Sequence, residues 1–392
     1  MYEHIFEKAI DRHGHLAVKT DVLEHLYGRT DLQAMWVADM DFEAPDFIMK
    51  ALKDRIDHPV FGYSVLPEGY WNMVSSWIRE RHGWDTGAEW FSFIPGIVKG
   101  IGMVINALLA KDEKVIIQPP VYHPFRLVPQ GNGREVVLNP LRENADGTYS
   151  MDFENLEEVV DEKCRLFILS NPHNPAGIVW DRETLAKLAH FCAARGIIVV
   201  SDEIHCDMAL FGHKHIPFAS VSEEAAKISI TFGAPTKTFN LAGIVSSFAI
   251  VPDAELRGRF YSWLKANEFD APTLFAPLVT EAAFTKGEQY REELVKYIEG
   301  NVLAVEDALK DVPGIKALRP QASFLVWLDC RGLGLDHDSL VDLFVNKARL
   351  ALNDGAMFGS QGSGFMRMNI GTSRSEILRA MDSLKAACKE RK

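Results

Sequence analysis

Residues 165–202 read RLFILSNPHNPAGIVWDRETLAKLAHFCAARGIIVVSD. Arg165–Ser170 and Ile197–Ser201 are short, nearly continuous apolar runs rich in branched residues. A strand with water on one face would alternate, so such runs belong to strands covered on both faces. Between them, Asp181 is placed to cap a helix that runs to Arg195 and stops at Gly196. Strand, helix, strand with this spacing makes a crossover unit, and crossover units build parallel sheets.

The same pattern extends outward. Further apolar runs occur at Trp90–Ile94, Lys114–Gln118, Glu135–Leu138, Lys227–Phe232 and Val245–Val251. Helical patterns fall at Gly100–Ala110 and Asp152–Val160. The sequence therefore predicts an α/β fold with a mostly parallel seven-stranded sheet between helices. The tail differs: a long helical stretch, Glu281–Asp311, precedes the strand ASFLVWLD, a helix over Asp338–Ala348, a Gly-rich loop, the strand FMRMNIG and a helix over Ser375–Lys389. This predicts a smaller α+β domain, which the first 45 residues join. The expected division is 46–284 for the large domain, with 1–45 and 285–392 for the small one. No Gly/Ser-rich linker separates them, so they should share an interface.

The 392 residues carry 42 Lys+Arg against 54 Asp+Glu, a net charge of −12. That balance is a poor match for nucleic acid or an anionic membrane. Five cysteines with no C-x-x-C pair argue against a disulfide framework and a zinc site, and they fit a reducing compartment. The longest uncharged stretches, Leu166–Trp180 and Thr238–Pro252, fall short of the roughly 20 apolar residues of a membrane helix. No apolar leader is visible, and the expected location is the cytoplasm. His13/His15 and His213/His215 lack a matching second half of a metal site and are expected in exposed loops; no metal is expected.

Open α/β sheets bind ligands at the carboxyl ends of their strands. The first strand end leads into PGIVKG, where Gly96, Ile97 and Val98 open a helix whose free N–H groups suit a phosphate. The second leads into PPVYHPF, where prolines hold Tyr122 rigidly enough to stack on a flat ring. NPHNPAG follows the strand that ends at Ser170, and its two Asn-Pro pairs can aim the Asn174 amide. Asp202 in SDEIH ends a buried strand, where a carboxylate needs a cationic or hydrogen-bonding partner; His205 lies near the same opening. Lys237 in GAPTKTFNLAG sits among small and hydroxyl residues, a setting that can lower an amine's pKa. Each feature alone is commonplace. Together they supply a phosphate turn, a stacking ring, an aimed amide, a buried carboxylate and an amine, which is the set that pyridoxal 5′-phosphate (PLP) requires.

SNPHNPAG, SDEIH, APTKTFNLAG and FMRMNIG resemble the signatures of fold type I, aminotransferase-like PLP enzymes over essentially the whole chain. WVADMDF (Trp36–Phe42), FGYS (Phe61–Ser64), PPVYHPF, His205 and the tail NDGAMFGSQGSGFMRMNIG resemble the carbon–sulfur lyase branch, of the cystathionine β-lyase and cystalysin type. The resemblance implies that Lys237 holds the cofactor and moves the substrate proton, that Asp202 pairs with the ring nitrogen, and that Tyr122 stacks on the ring. Lys237, Tyr122 and Asp202 are thus the implied catalytic residues. It further implies that Asn174 bonds the ring hydroxyl and contacts substrate, that Gly96, Ile97, Val98 and Thr236 hold the phosphate, and that His205 borders the cofactor. Arg367 would bind the substrate α-carboxylate. Tyr63 would reach the phosphate of a neighbouring subunit, making a homodimer with shared sites. Cis bonds are expected before Pro120 or Pro175. Ala234 departs from the pattern, standing where many relatives have Ser. The implied activity is β-elimination from cystathionine or another S-substituted cysteine, giving a thiol, pyruvate and ammonia. The alternatives are an aminotransferase and a PLP-bearing regulator that binds a partner protein.

Overall fold

The computed structural model describes residues 2–8 and 10–390. Its large sheet is built from β1 (Phe91–Ile94), β2 (Lys114–Ile117), β3 (Val136–Leu138), β4 (Cys164–Ser170), β5 (Ile198–Asp202), β6 (Ser229–Gly233) and β7 (Ser247–Ile250). The spatial order is β1-β7-β6-β5-β4-β2-β3. From β6 through β3 the neighbours are parallel, and β7 runs antiparallel between β1 and β6. All seven runs read from the sequence are strands of this one sheet.

Burial on both faces explains why those runs do not alternate. Leu166 and Ile168 of β4 join a core with Ile101, Val104 and Phe260, from the helices Ile97–Leu108 and Ala254–Ala266. Phe167 and Leu169, one residue on, join a different core with Leu185 and Leu188 of the helix Arg182–Ala194. The period of two divides the side chains between two apolar layers rather than between core and water. Asp181 caps the latter helix as expected: its carboxylate accepts from Thr184 N at 2.7 Å.

The tail forms a second sheet from β8 (Lys316–Leu318), β9 (Leu325–Asp329), β10 (Asn353–Asp354) and β11 (Phe365–Asn369), in the order β8-β9-β11-β10. Gln33–Ala34 pairs in parallel with Leu350–Ala351, which ties the N-terminal segment to this region. One apolar cluster runs from Trp77, Phe239 and Phe284 to Tyr290, Tyr297, Leu325 and Phe344, so the two sheets are joined through continuous core.

The helix expected over Glu281–Asp311 is two helices, Ala276–Lys286 and Glu288–Leu309. The break falls at Gly287, where a Cβ would lie 2.3 Å from the Phe239 ring and 2.2 Å from the Ala283 carbonyl oxygen. Only a residue without a side chain lets the backbone pass there. The helix expected at Asp338–Ala348 begins as an α-helix at His337–Asp342 and widens to a π-helical turn at Leu343–Lys347. No helix among the described residues is long and apolar enough to cross a membrane.

Candidate active site

Register sets the position of the site. Ser170 of β4 is level with Asp202 of β5, and Asp202 is level with Phe232 of β6. The segments that follow all three strands therefore leave the sheet along one edge. There they border a cavity of about 300 Å³, lined among others by Gly96, Tyr122, Asn174, Asp202, Thr236 and Lys237. Ile97, Val98 and His205 line it too.

At one end is the N-terminus of the helix Ile97–Leu108, where no side chain caps the first turn. Gly96 precedes it with φ +116°, and a Cβ there would meet nothing within 4 Å. Uncapped N–H groups beside open space form an anion site, strengthened by the helix dipole.

Across the cavity Asp202 is buried, and its Oδ1 accepts from Ile204 N at 3.1 Å. Burial raises its carboxyl to about 7, with Lys237 and the Ile204 N–H opposing that rise. The loop beyond is firmly held: Glu203 accepts from Ser201 Oγ at 2.8 Å and from Phe218 N at 2.9 Å, and its other oxygen lies 2.8 Å from His215 Nε2. His215 is buried, contrary to the exposed loop expected from sequence, because Glu203 supplies a partner inside the protein; His213 is exposed as expected. His205 is buried with no partner for Nδ1 among the described residues, and burial pushes its imidazole pKa well down.

Lys237 Nζ donates to the carbonyl oxygen of Ala38 at 2.5 Å. Burial lowers its amine to about 8, with Asp39 and Asp202 opposing and Arg367 reinforcing the shift. A buried amine near neutrality can act as a base or nucleophile where an ordinary lysine cannot.

Arg367, on β11, is buried and meets the site through Asn174. Its guanidinium donates to Asn174 Oδ1 at 2.9 Å, to Asn353 Oδ1 at 2.5 Å and to the Trp36 carbonyl oxygen at 3.1 Å. Nε is buried without a partner among the described residues, and burial lowers the group to about 10. With Oδ1 engaged, Asn174 keeps its Nδ2 donors for the cavity. The bonds Pro119–Pro120, Asn171–Pro172 and Asn174–Pro175 are cis, the first and last as expected. Tyr122 is backed by Phe125, ring centroids 6.0 Å apart.

The structure thus brings together every expected site residue except Tyr63, whose side chain is fully exposed in the segment before the helix Tyr70–His82. Sequence reasoning missed Trp36 and Ala38, which act through backbone carbonyls, and Asn353, which holds Arg367. WVADMDF stood out only as a stretch resembling a family; no residue type announces a carbonyl contact. Asn240 was also missed: its amide donates to the carbonyls of Met40 and Phe42, both at 2.9 Å, and fastens this segment over the site.

These residues fit PLP. The uncapped helix start suits its phosphate, and the buried Asp202, with no cation in contact among the described residues, suits a protonated ring nitrogen. The low-pKa Lys237 suits its aldehyde.

Comparison with known proteins agrees with this geometry. Cystathionine beta-lyase PatB of Bacillus subtilis is 43% identical over 384 residues, covering 97% of this chain and 99% of that protein. The structure of cystalysin from Treponema denticola, which contains a pyridoxal 5′-phosphate cofactor, superposes with a TM-score of 0.95 at 30% identity, over 99% of each chain. The PLP-bound C–S lyase from Staphylococcus hominis gives 0.89 at 31% identity, over 97% of each. Residues 38–384 match the family of class I and II aminotransferases, and the chain belongs to that family.

Proposed function

We propose that the protein is a PLP-dependent carbon–sulfur β-lyase acting on cystathionine or a related S-substituted cysteine. The observation that carries the cofactor reading is the pairing of a buried, near-neutral Lys237 with a buried Asp202 across one cavity. The lyase reading rests on 43% identity to a cystathionine β-lyase along nearly the full length of both chains.

When bound, PLP supplies an aldehyde for an amine and a ring that stores the electron pair released at the substrate Cα. The protein supplies the rest. Asp202 holds a proton on the ring nitrogen. The helix start at Gly96–Val98, with Thr236, anchors the phosphate. Tyr122 and Asn174 fix the plane and the hydroxyl of the ring. Arg367 takes the α-carboxylate through its planar fork, and this turns the Cα–H toward Lys237. Lys237 then removes that proton. A positioned base of suitable pKa contributes roughly 10²–10⁴-fold. Loss of the thiol from Cβ and uptake of one water leave pyruvate and ammonia.

We further infer a homodimer in which Tyr63 serves the partner's site. An exposed aromatic in a segment that also exposes Val60, Phe61 and Val65 supports this reading. The cysteines form no disulfide among the described residues, which suits the cytoplasm.

Product analysis tests the activity. Purified holoenzyme given L-cystathionine should release pyruvate and ammonia without any 2-oxo acid. Amino transfer that depends on an added 2-oxo acid, with no pyruvate, would establish the aminotransferase alternative instead.

A further inference from the structure

A second cavity, of about 150 Å³, lies between the start of the helix Pro124–Gly131 and the loop that carries Met357 to Gln361. Three polar side chains that line it have hydrogen-bonding atoms with no partner among the described residues. His123 Nδ1 and Gln361 Oε1 are buried and make no hydrogen bond. Arg126 is half-buried, and among the described residues no carboxylate pairs with its guanidinium. His123 and Arg126 stand three residues apart at the head of one helix, a spacing that puts both on one face. No acidic residue lines the cavity; Leu138, Met357 and Phe358 provide apolar wall.

This cavity adjoins the active site. The Phe358 ring faces the Arg367 guanidinium at 4.9 Å and the His123 ring at 6.3 Å. Tyr122, which lines the central cavity, is 5.2 Å from His123, ring to ring. Burial lowers the His123 imidazole pKa, with Arg367 and Arg126 adding to that effect. Native proteins rarely leave buried polar atoms unsatisfied. Here two such atoms and an unpaired arginine converge beside the expected carboxylate clamp.

We propose that this cavity is the subsite for the sulfur substituent of the substrate, and that it selects substituents ending in a carboxylate. The assignment rests on the lyase reading and names its substrate class: a thioether whose second arm carries a carboxylate, as in cystathionine. Arg126 pairs with that carboxylate. Gln361 Oε1 and His123 Nδ1 accept from the neighbouring ammonium. The methylene stem lies against Phe358 and Met357.

The test compares wild-type and Arg126→Gln holoenzymes on L-cystathionine and S-methyl-L-cysteine. The ratio of kcat/KM for the two substrates should fall by at least about tenfold in the variant, the effect of losing one hydrogen bond to a charged group. Arg126→Lys should restore part of it. An unchanged ratio overturns the subsite, including the case in which both substrates suffer equally. A binding assay separates this failure from failure of the lyase reading. Suberate, whose carboxylates are spaced like those of cystathionine, should bind the wild-type holoenzyme about tenfold more tightly than hexanoate, and Arg126→Gln should erase the difference. Arg126-dependent suberate binding by an enzyme that cleaves neither thioether would sink the lyase reading and keep the subsite. Cleavage of both, with suberate no better than hexanoate, would do the reverse.

Discussion

Arg367 donates to Asn174 Oδ1 across 2.9 Å, joining a strand of the small sheet to a loop of the large one. The expected carboxylate clamp and the amide expected to face the cofactor are therefore one hydrogen-bonded unit. Arg367→Lys should disturb both functions, because an ammonium has neither the fork for a carboxylate nor the reach to hold Asn174 and Asn353 together. KM for the amino-acid substrate should rise by roughly 10-fold or more, the scale of a lost charge-assisted bond. PLP affinity, measured by titration of apoprotein, should weaken as well. A change in KM alone would show that the two residues act independently.

Lys237 should react with PLP as a neutral amine. Burial lowers it to about 8 from the ordinary 10.5, so the reactive form prevails above pH 8. The rate of PLP incorporation into apoprotein, followed by visible absorbance, should rise with pH and level off near 8. A rate still climbing toward pH 10 would contradict the buried-amine geometry. Borohydride should fix the cofactor on Lys237, and Lys237→Ala should bind PLP weakly and lose turnover.

Asp202 should show opposite effects with and without cofactor. Its carboxyl is raised to about 7 in the fold, from an ordinary 3.8. A raised acid favours the folded state in its protonated form. Its contribution is therefore lost as pH rises from about 4 to about 7, and above 7 the buried charge opposes folding. Asp202→Asn removes that charge and should stabilise apoprotein at pH 8 by roughly 1–4 kcal/mol, on the scale of 1.36 kcal/mol per pKa unit. The gain should shrink as pH falls toward 5. In holoenzyme the same change should weaken PLP binding, since the ring nitrogen loses its counter-charge. Thermal melts of both forms at several pH values check the signs.

Tyr63→Phe should raise the PLP dissociation constant by the cost of one hydrogen bond to a charged group, about 1.5–3 kcal/mol. Mixing this variant with inactive Lys237→Ala makes the decisive case. Hybrid dimers would hold one site with both residues intact, and cofactor affinity should recover there. Hybrids that form without recovery would assign Tyr63 to its own chain.

The sheet was legible because burial on both faces writes each strand as a continuous apolar run, of which Leu166–Leu169 is the clearest. Strand order was not legible. Nothing local in Ser247–Ile250 says that it inserts antiparallel between the first strand and Ser229–Gly233. The break at Gly287 was missed because one glycine in a helical pattern is tolerated; what forbids a side chain there is Phe239, distant in sequence. Side-chain chemistry at the strand ends was readable one residue at a time, as with Asp202 and Lys237. Contacts made by main-chain atoms, as at Ala38, leave no signature in residue type.

The stretch from Trp36 to Ala38 touches both halves of the expected chemistry: the Trp36 carbonyl accepts from Arg367 and the Ala38 carbonyl accepts from Lys237. Two successive peptide units thus link the carbonyl that holds the group expected to meet the substrate and the carbonyl that holds the group expected to deprotonate it, so one short stretch of backbone sets the spacing of both.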